Sequence, residues 1–124
     1  GNLSLVVTLR GTPFEPDFDG AILFLEDVSE PPYSVDRMLT HLWMSGKLER
    51  VAGIVLGKFT DAEYDSNTFS MEQVMRDRFE SLGIPTLSGT MIGHIEDKTV
   101  LPIGIKARLD VDEGTLTLLE TAVS

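Results

Sequence analysis

A chain of 124 residues, 42% of them hydrophobic, is sized for one domain that buries a core of its own without disulfide or metal staples. Ten Lys plus Arg against twenty Asp plus Glu leave a net charge of −10, which repels a phosphate backbone and an anionic bilayer alike, so neither nucleic acid nor a membrane is expected as a partner. Cysteine is absent, so a disulfide framework and a thiolate metal site are both excluded, and a reducing compartment is consistent. No apolar run approaches the roughly 20 residues that span a bilayer, and no signal-peptide pattern is present, so the chain reads as soluble. It opens on Gly1 rather than Met, which leads us to expect a piece of a longer protein.

Near the start, Leu3, Leu5, Val7 and Leu9 follow strand spacing, while Leu3, Val6, Val7 and Arg10 follow helical spacing. End signals favour a short helix: Asn2 is a good N-cap, Gly11 a good residue just past the end, and Pro13 prevents continuation. Residues 13–19 read as a loop. Next comes Gly20-Ala21-Ile22-Leu23-Phe24-Leu25-Glu26-Asp27, an unbroken apolar run ending in two carboxylates. That is the pattern of a strand buried on both faces whose carboxyl end opens into a site. Ser29-Glu30-Pro31-Pro32 predicts a turn, since two prolines suit neither a ladder nor a helix interior. Val35, Met38, Leu39, Leu42 and Trp43 then form one helical stripe over residues 34–45, with Ser34 as cap, Asp36 in the first turn and Gly46 as stop. Residues 51–56 predict a second buried strand, parallel to the first, with Lys58 and Phe59 at its carboxyl end.

Residues 61–69 are polar and irregular. Ser70 and Gln73 form a capping box for a second helix with stripe Met71, Val74, Met75, Phe79 and Leu82, ending at Gly83. A third strand is predicted at 84–88, followed by the loop Gly89-Thr90-Met91-Ile92-Gly93-His94. Beyond it the pattern changes: residues 100–103, the alternating Ile105, Ala107 and Leu109, the turn Asp112-Glu113-Gly114, and the alternating Leu116 and Leu118 predict a small antiparallel sheet. The fold class is therefore α/β, with a parallel central sheet and a smaller antiparallel one.

Two histidines are present. His41 falls off the helical stripe and reads as a solvated surface residue. His94 leaves the carboxyl end of a strand, as Glu26 does, so both are expected on one side of the domain, facing a common concavity. A carboxylate that orients an imidazole is two thirds of a nucleophilic triad. No serine sits in a Gly-x-Ser-x-Gly elbow, and Ser88 reads as a strand end. His94, Glu96 and Asp97 are too crowded in sequence to make a good metal signal, and with neither GxGxxG nor P-loop no cofactor is expected. A rival remains: an acidic pair after a first strand, with hydroxyls and a lysine at later strand ends, also suits a Mg²⁺-dependent phospho-acceptor signalling module. Against it, no acid ends the second strand, and the chain closes on hairpins.

Leu23-Phe24-Leu25-Glu26-Asp27-Val28, Glu30-Pro31-Pro32-Tyr33 and Val35-Asp36-Arg37-Met38-Leu39 resemble the carboxy-terminal domain of LD-carboxypeptidases, the muramoyltetrapeptide carboxypeptidases. The likeness continues through Gly53-Ile54-Val55-Leu56-Gly57, Gly83-Ile84-Pro85, Ile92-Gly93-His94 and Leu101-Pro102-Ile103-Gly104, in that order, over nearly the whole chain. It implies a swivelling β/β/α fold for residues 1–124, as the second half of a two-domain serine peptidase. By the resemblance, Glu26 and His94 are the acid and base of a Ser-Glu-His triad, and an amino-terminal domain absent from this chain supplies the nucleophile. The implied reaction releases terminal D-alanine from murein tetrapeptides in cytoplasmic cell-wall recycling. A related branch hydrolyses peptidyl-nucleotide antibiotics of the microcin C type. The resemblance leaves open which peptide is cleaved and whether the parent protein is a homodimer.

Overall fold

The computed structural model describes residues 1–62, 65 and 67–123. Three parallel strands, β1 (Ile22–Val28), β2 (Gly53–Thr60) and β3 (Thr86–Leu87), lie in the order β1-β2-β3. Helices α1 (Leu3–Thr8), α2 (Pro32–Met44) and α3 (Met71–Glu80) precede the strands in turn. A separate antiparallel pair, β4 (Ala107–Asp110) and β5 (Thr115–Leu118), closes the chain. The mixed α/β class with a smaller second sheet is thus observed.

Pleating divides the parallel sheet into two faces. Leu25, Ile54 and Leu56 share a core with Leu3 and Val6 of α1, Val35, Met38, Leu39 and Leu42 of α2, and Val74 and Phe79 of α3. Phe24, Glu26, Gly53 and Gly57 belong to the other face, where Gly53 abuts Leu109 of β4 and Gly57 abuts Ile92 of the loop after β3. One face therefore holds the helical core, and the other is left for the late loop and hairpin. The site lies on the second face.

Local signals explain most boundaries. Asn2 caps α1 by accepting a hydrogen bond from Leu5 N at 3.1 Å, which resolves the ambiguous periodicity in favour of a helix. Its C-cap is Leu9, so Gly11 (φ 73°) sits one residue beyond the position expected. The reciprocal bonds of the Ser70–Gln73 capping box both form, at 3.2 and 2.8 Å.

Other expectations are corrected. Ser34 does not cap α2; the helix starts at Pro32, with Pro31 as N-cap, because proline fits a first turn whose N–H needs no partner. Ser34 instead donates its hydroxyl to Glu30 Oε2 at 2.6 Å. Asp36, one turn further in, pairs with Arg78 of α3 at 2.7 Å and ties the two helices. Trp43 stays 47% exposed although it continues the stripe. Strand β2 runs on through Lys58 and Phe59 to Thr60, since Val28 still has a partner there. Strand β3 is shorter than 84–88, and residues 100–103 join no strand. Glu63, Tyr64 and Ser66 of the 61–69 stretch lie outside the described residues. Among the described residues no helix is long and apolar enough to cross a membrane.

Candidate active site

Glu26 and Asp27 are consecutive, so β1 aims them to opposite faces, and the sheet gives them different company. Both are buried, at 7% and 3% exposure, rather than marking a strand end that meets water. Asp27 turns toward α1. Its Oδ2 accepts from Ser4 N at 2.9 Å and Ser4 Oγ at 2.7 Å, and its Oδ1 from Asn2 Nδ2 at 2.8 Å and Val28 N at 2.9 Å. Every acceptor direction is used internally, which makes Asp27 the pin of the α1 start against β1 and leaves no joint Glu26–Asp27 surface for a cation.

Glu26 faces the other way and meets the loop that follows β3. Its Oε2 lies 2.8 Å from His94 Nδ1. The Glu26 side chain is 9% exposed and that of His94 54% exposed, so a buried carboxylate stands behind a half-exposed imidazole. Facing a carboxylate acceptor, Nδ1 is the ring nitrogen placed to donate. The pair is 68 residues apart in sequence, and the backbone brings it together. Glu26 N donates to Gly1 O at 3.3 Å, and Asn2 forms an isolated parallel bridge with Glu26, so the carboxyl end of β1 is held from its outer edge. Lys58 N donates to Ile92 O at 2.8 Å, Thr90 Oγ1 to Leu56 O at 2.9 Å, and Thr99 N to Met91 O at 2.8 Å, fixing the loop.

The two residues share a side, as expected, but line none of the larger cavities described. The largest of these, 810 Å³, runs beside α3 and is lined by Met71, Met75, Phe79, Lys58, Ser88 and Gly89, among others. Among the described residues no serine hydroxyl bonds His94, and no group of three acidic or histidine side chains could hold a metal, His94, Glu96 and Asp97 included. His41 is exposed on α2. Sequence reasoning missed the pinning role of Asp27, whose partners at Asn2 and Ser4 leave no local signal. It also passed over Gly57, although a glycine inside a strand often marks a close backbone approach.

The model of the LD-carboxypeptidase C-terminal domain family matches residues 1–109. A Bacillus subtilis protein named "Probable murein peptide carboxypeptidase" is 44% identical over all of this chain and 39% of its own length. The crystal structure of muramoyltetrapeptide carboxypeptidase from Oxalobacter formigenes superposes with a TM-score of 0.86 at 38% identity, covering 95% of this chain and 42% of that one. The Escherichia coli microcin C7 self-immunity protein MccF is 26% identical, and its solved structure has a TM-score of 0.89 over 100% of this chain and 38% of that one. The chain thus spans about two fifths of the length of these relatives. With the matched family model covering most of its length and the same sheet arrangement present, the chain belongs to the LD-carboxypeptidase C-terminal domain family.

Proposed function

We propose that this chain is the second half of a two-domain serine LD-carboxypeptidase that releases terminal D-alanine from murein tetrapeptides in cytoplasmic cell-wall recycling. The observation that carries the reading is the 2.8 Å contact between Glu26 Oε2 and His94 Nδ1, with the imidazole about half exposed. In this reading Nε2 takes the proton of a serine hydroxyl supplied by the preceding domain as that oxygen attacks the scissile carbonyl. The imidazolium, stabilised by Glu26, then gives the proton to the departing D-alanine nitrogen. A water, deprotonated in turn by His94, breaks the acyl-enzyme ester. Oxyanion donors come from the domain that carries the serine.

The names of the relatives at 38% and 44% identity support the murein substrate. A second reading, an immunity peptidase, is supported by the match to MccF along the whole of this chain, 37% of MccF's own length; its solved structures include complexes with glutamyl sulfamoyl guanosine and aspartyl sulfamoyl adenosine. Assaying the intact protein on murein tetrapeptide beside an aminoacyl sulfamoyl nucleoside separates the two. D-alanine release with little nucleoside turnover is expected, and the reverse preference overturns the murein reading. The 124 residues alone are expected to release no D-alanine, because His94 has no nucleophile to activate.

A further inference from the structure

The pairing of β1 with β2 is interrupted at one place. Leu25 faces Leu56 and Asp27 faces Phe59, so Gly57 and Lys58 together oppose the single residue Glu26, as in a β-bulge. A Cβ at Gly57 would lie 2.4 Å from Ile92 O, 3.0 Å from Glu26 Cβ and 3.0 Å from Phe24 Cε2. Ile92 O is also the acceptor that Lys58 N holds at 2.8 Å, two residues before His94. The bare backbone of Gly57 is therefore the surface on which the His94 loop rests, directly beside the carbon chain of Glu26.

From this geometry we propose that Gly57 is a positioning residue: its missing side chain seats the 89–94 loop on the bulge and so sets His94 Nδ1 against Glu26 Oε2. The effect on the pair stands on its own, whereas its consequence for turnover rests on the function proposed above. A methyl group at Gly57 has to open the Ile92 contact from 2.4 Å to at least 3.0 Å, about 0.6 Å. Ile92 O belongs to the backbone and cannot rotate aside, so the loop itself must lift. His94 moves with it, or Glu26 is pushed off its rotamer, and the 2.8 Å contact is lost either way. The simpler role for a strand glycine is packing alone, which Gly53 illustrates. A Cβ there would meet Leu109 Cδ2 at 2.6 Å, the tip of a flexible side chain remote from the pair.

The test compares Gly57→Ala with Gly53→Ala by ¹⁵N NMR of the imidazoles in this chain, with exposed His41 as the internal reference. In the wild type, His94 should show one tautomer, protonated at Nδ1. Gly57→Ala should turn this into a mixture resembling that of Glu26→Gln. Gly53→Ala should keep the wild-type pattern whatever it costs in melting temperature. In the intact enzyme Gly57→Ala should lower kcat by roughly 10² with little change in KM, the scale of loss that follows a misplacement of order 1 Å. A folded Gly57→Ala with an unchanged His94 signature overturns the proposal. If that variant does not fold, the wild-type spectrum decides: a mixture of tautomers at His94 while the loop rests on Gly57 overturns the proposal equally. A tautomer shift in this chain, beside an intact wild-type protein that releases no D-alanine, would uphold the positioning role and reject the proposed function.

Discussion

Replacing Asp27 with Asn keeps the side chain's volume but turns one of its two acceptors into a donor. In the native protein both oxygens are filled, Oδ2 by Ser4 N and Ser4 Oγ, Oδ1 by Asn2 Nδ2 and Val28 N. Whichever way the amide is turned, its NH₂ faces a backbone N–H, that of Ser4 or that of Val28. The Ser4 hydroxyl can rotate to accept, but a peptide N–H cannot. Asn2 is not free to flip either, because its Oδ1 caps α1 at Leu5 N. One buried donor left bare costs about 1–3 kcal/mol, and the other bonds lose the strengthening of a charged acceptor, so roughly 2–4 kcal/mol is expected in total. For a domain of this size that is a fall of about 10 °C in melting temperature. Thermal unfolding followed by circular dichroism measures it directly. A melting temperature within about 2 °C of wild type would refute the claim that Asp27 pins α1 to β1.

Glu15 accepts from Gly11 N at 2.9 Å and is paired with Lys47 and Arg10, and the Gly11 bond above all holds its carboxyl below the usual carboxylate range. A depressed folded-state value stabilises the protein above the unfolded carboxylate range, and this stabilisation fades as pH falls through the lowered value. Glu15→Gln should accordingly be less stable than wild type in urea at neutral pH, with the gap closing in acid; a gap that persists or widens in acid contradicts the assignment. Ser70→Ala removes one half of the capping box of α3 and should cost about 1 kcal/mol, read as a lowered urea midpoint with an unchanged slope.

The parallel strands, both long helices and the terminal hairpin were legible because each is written in local chemistry: apolar runs, helical stripes, a capping box, and glycines at chain reversals. The start of α2 is not legible from proline's habit of breaking helices, because Pro32 occupies a first turn, where its missing N–H costs nothing. Strand β2 outran its apolar stretch because Phe59 and Thr60 find partners in Asp27 and Val28 beyond the bulge, which depends on the neighbouring strand and not on their own sequence. The pairing of Glu26 with His94 was within reach because both leave carboxyl ends of strands in one parallel sheet. The division of labour between Glu26 and Asp27 was legible only in part. Alternation of faces says that one of them must turn away, but which donors receive it is decided by α1, at the far end of a 23-residue separation.

The central claim is that Glu26, through His94, serves the chemistry while Asp27 serves the fold. Measuring kcat for D-alanine release by the intact protein carrying Glu26→Gln or Asp27→Asn tests it most directly, at a temperature where both variants are folded. Glu26→Gln removes the charge that stabilises the imidazolium and leaves the wrong tautomer, a change that in a serine-protease triad lowers kcat by roughly 10⁴. The account predicts a loss of that order for Glu26→Gln and a loss under about tenfold for Asp27→Asn, whose cost falls on stability instead. A crippled Asp27→Asn enzyme beside a nearly normal Glu26→Gln enzyme would contradict it.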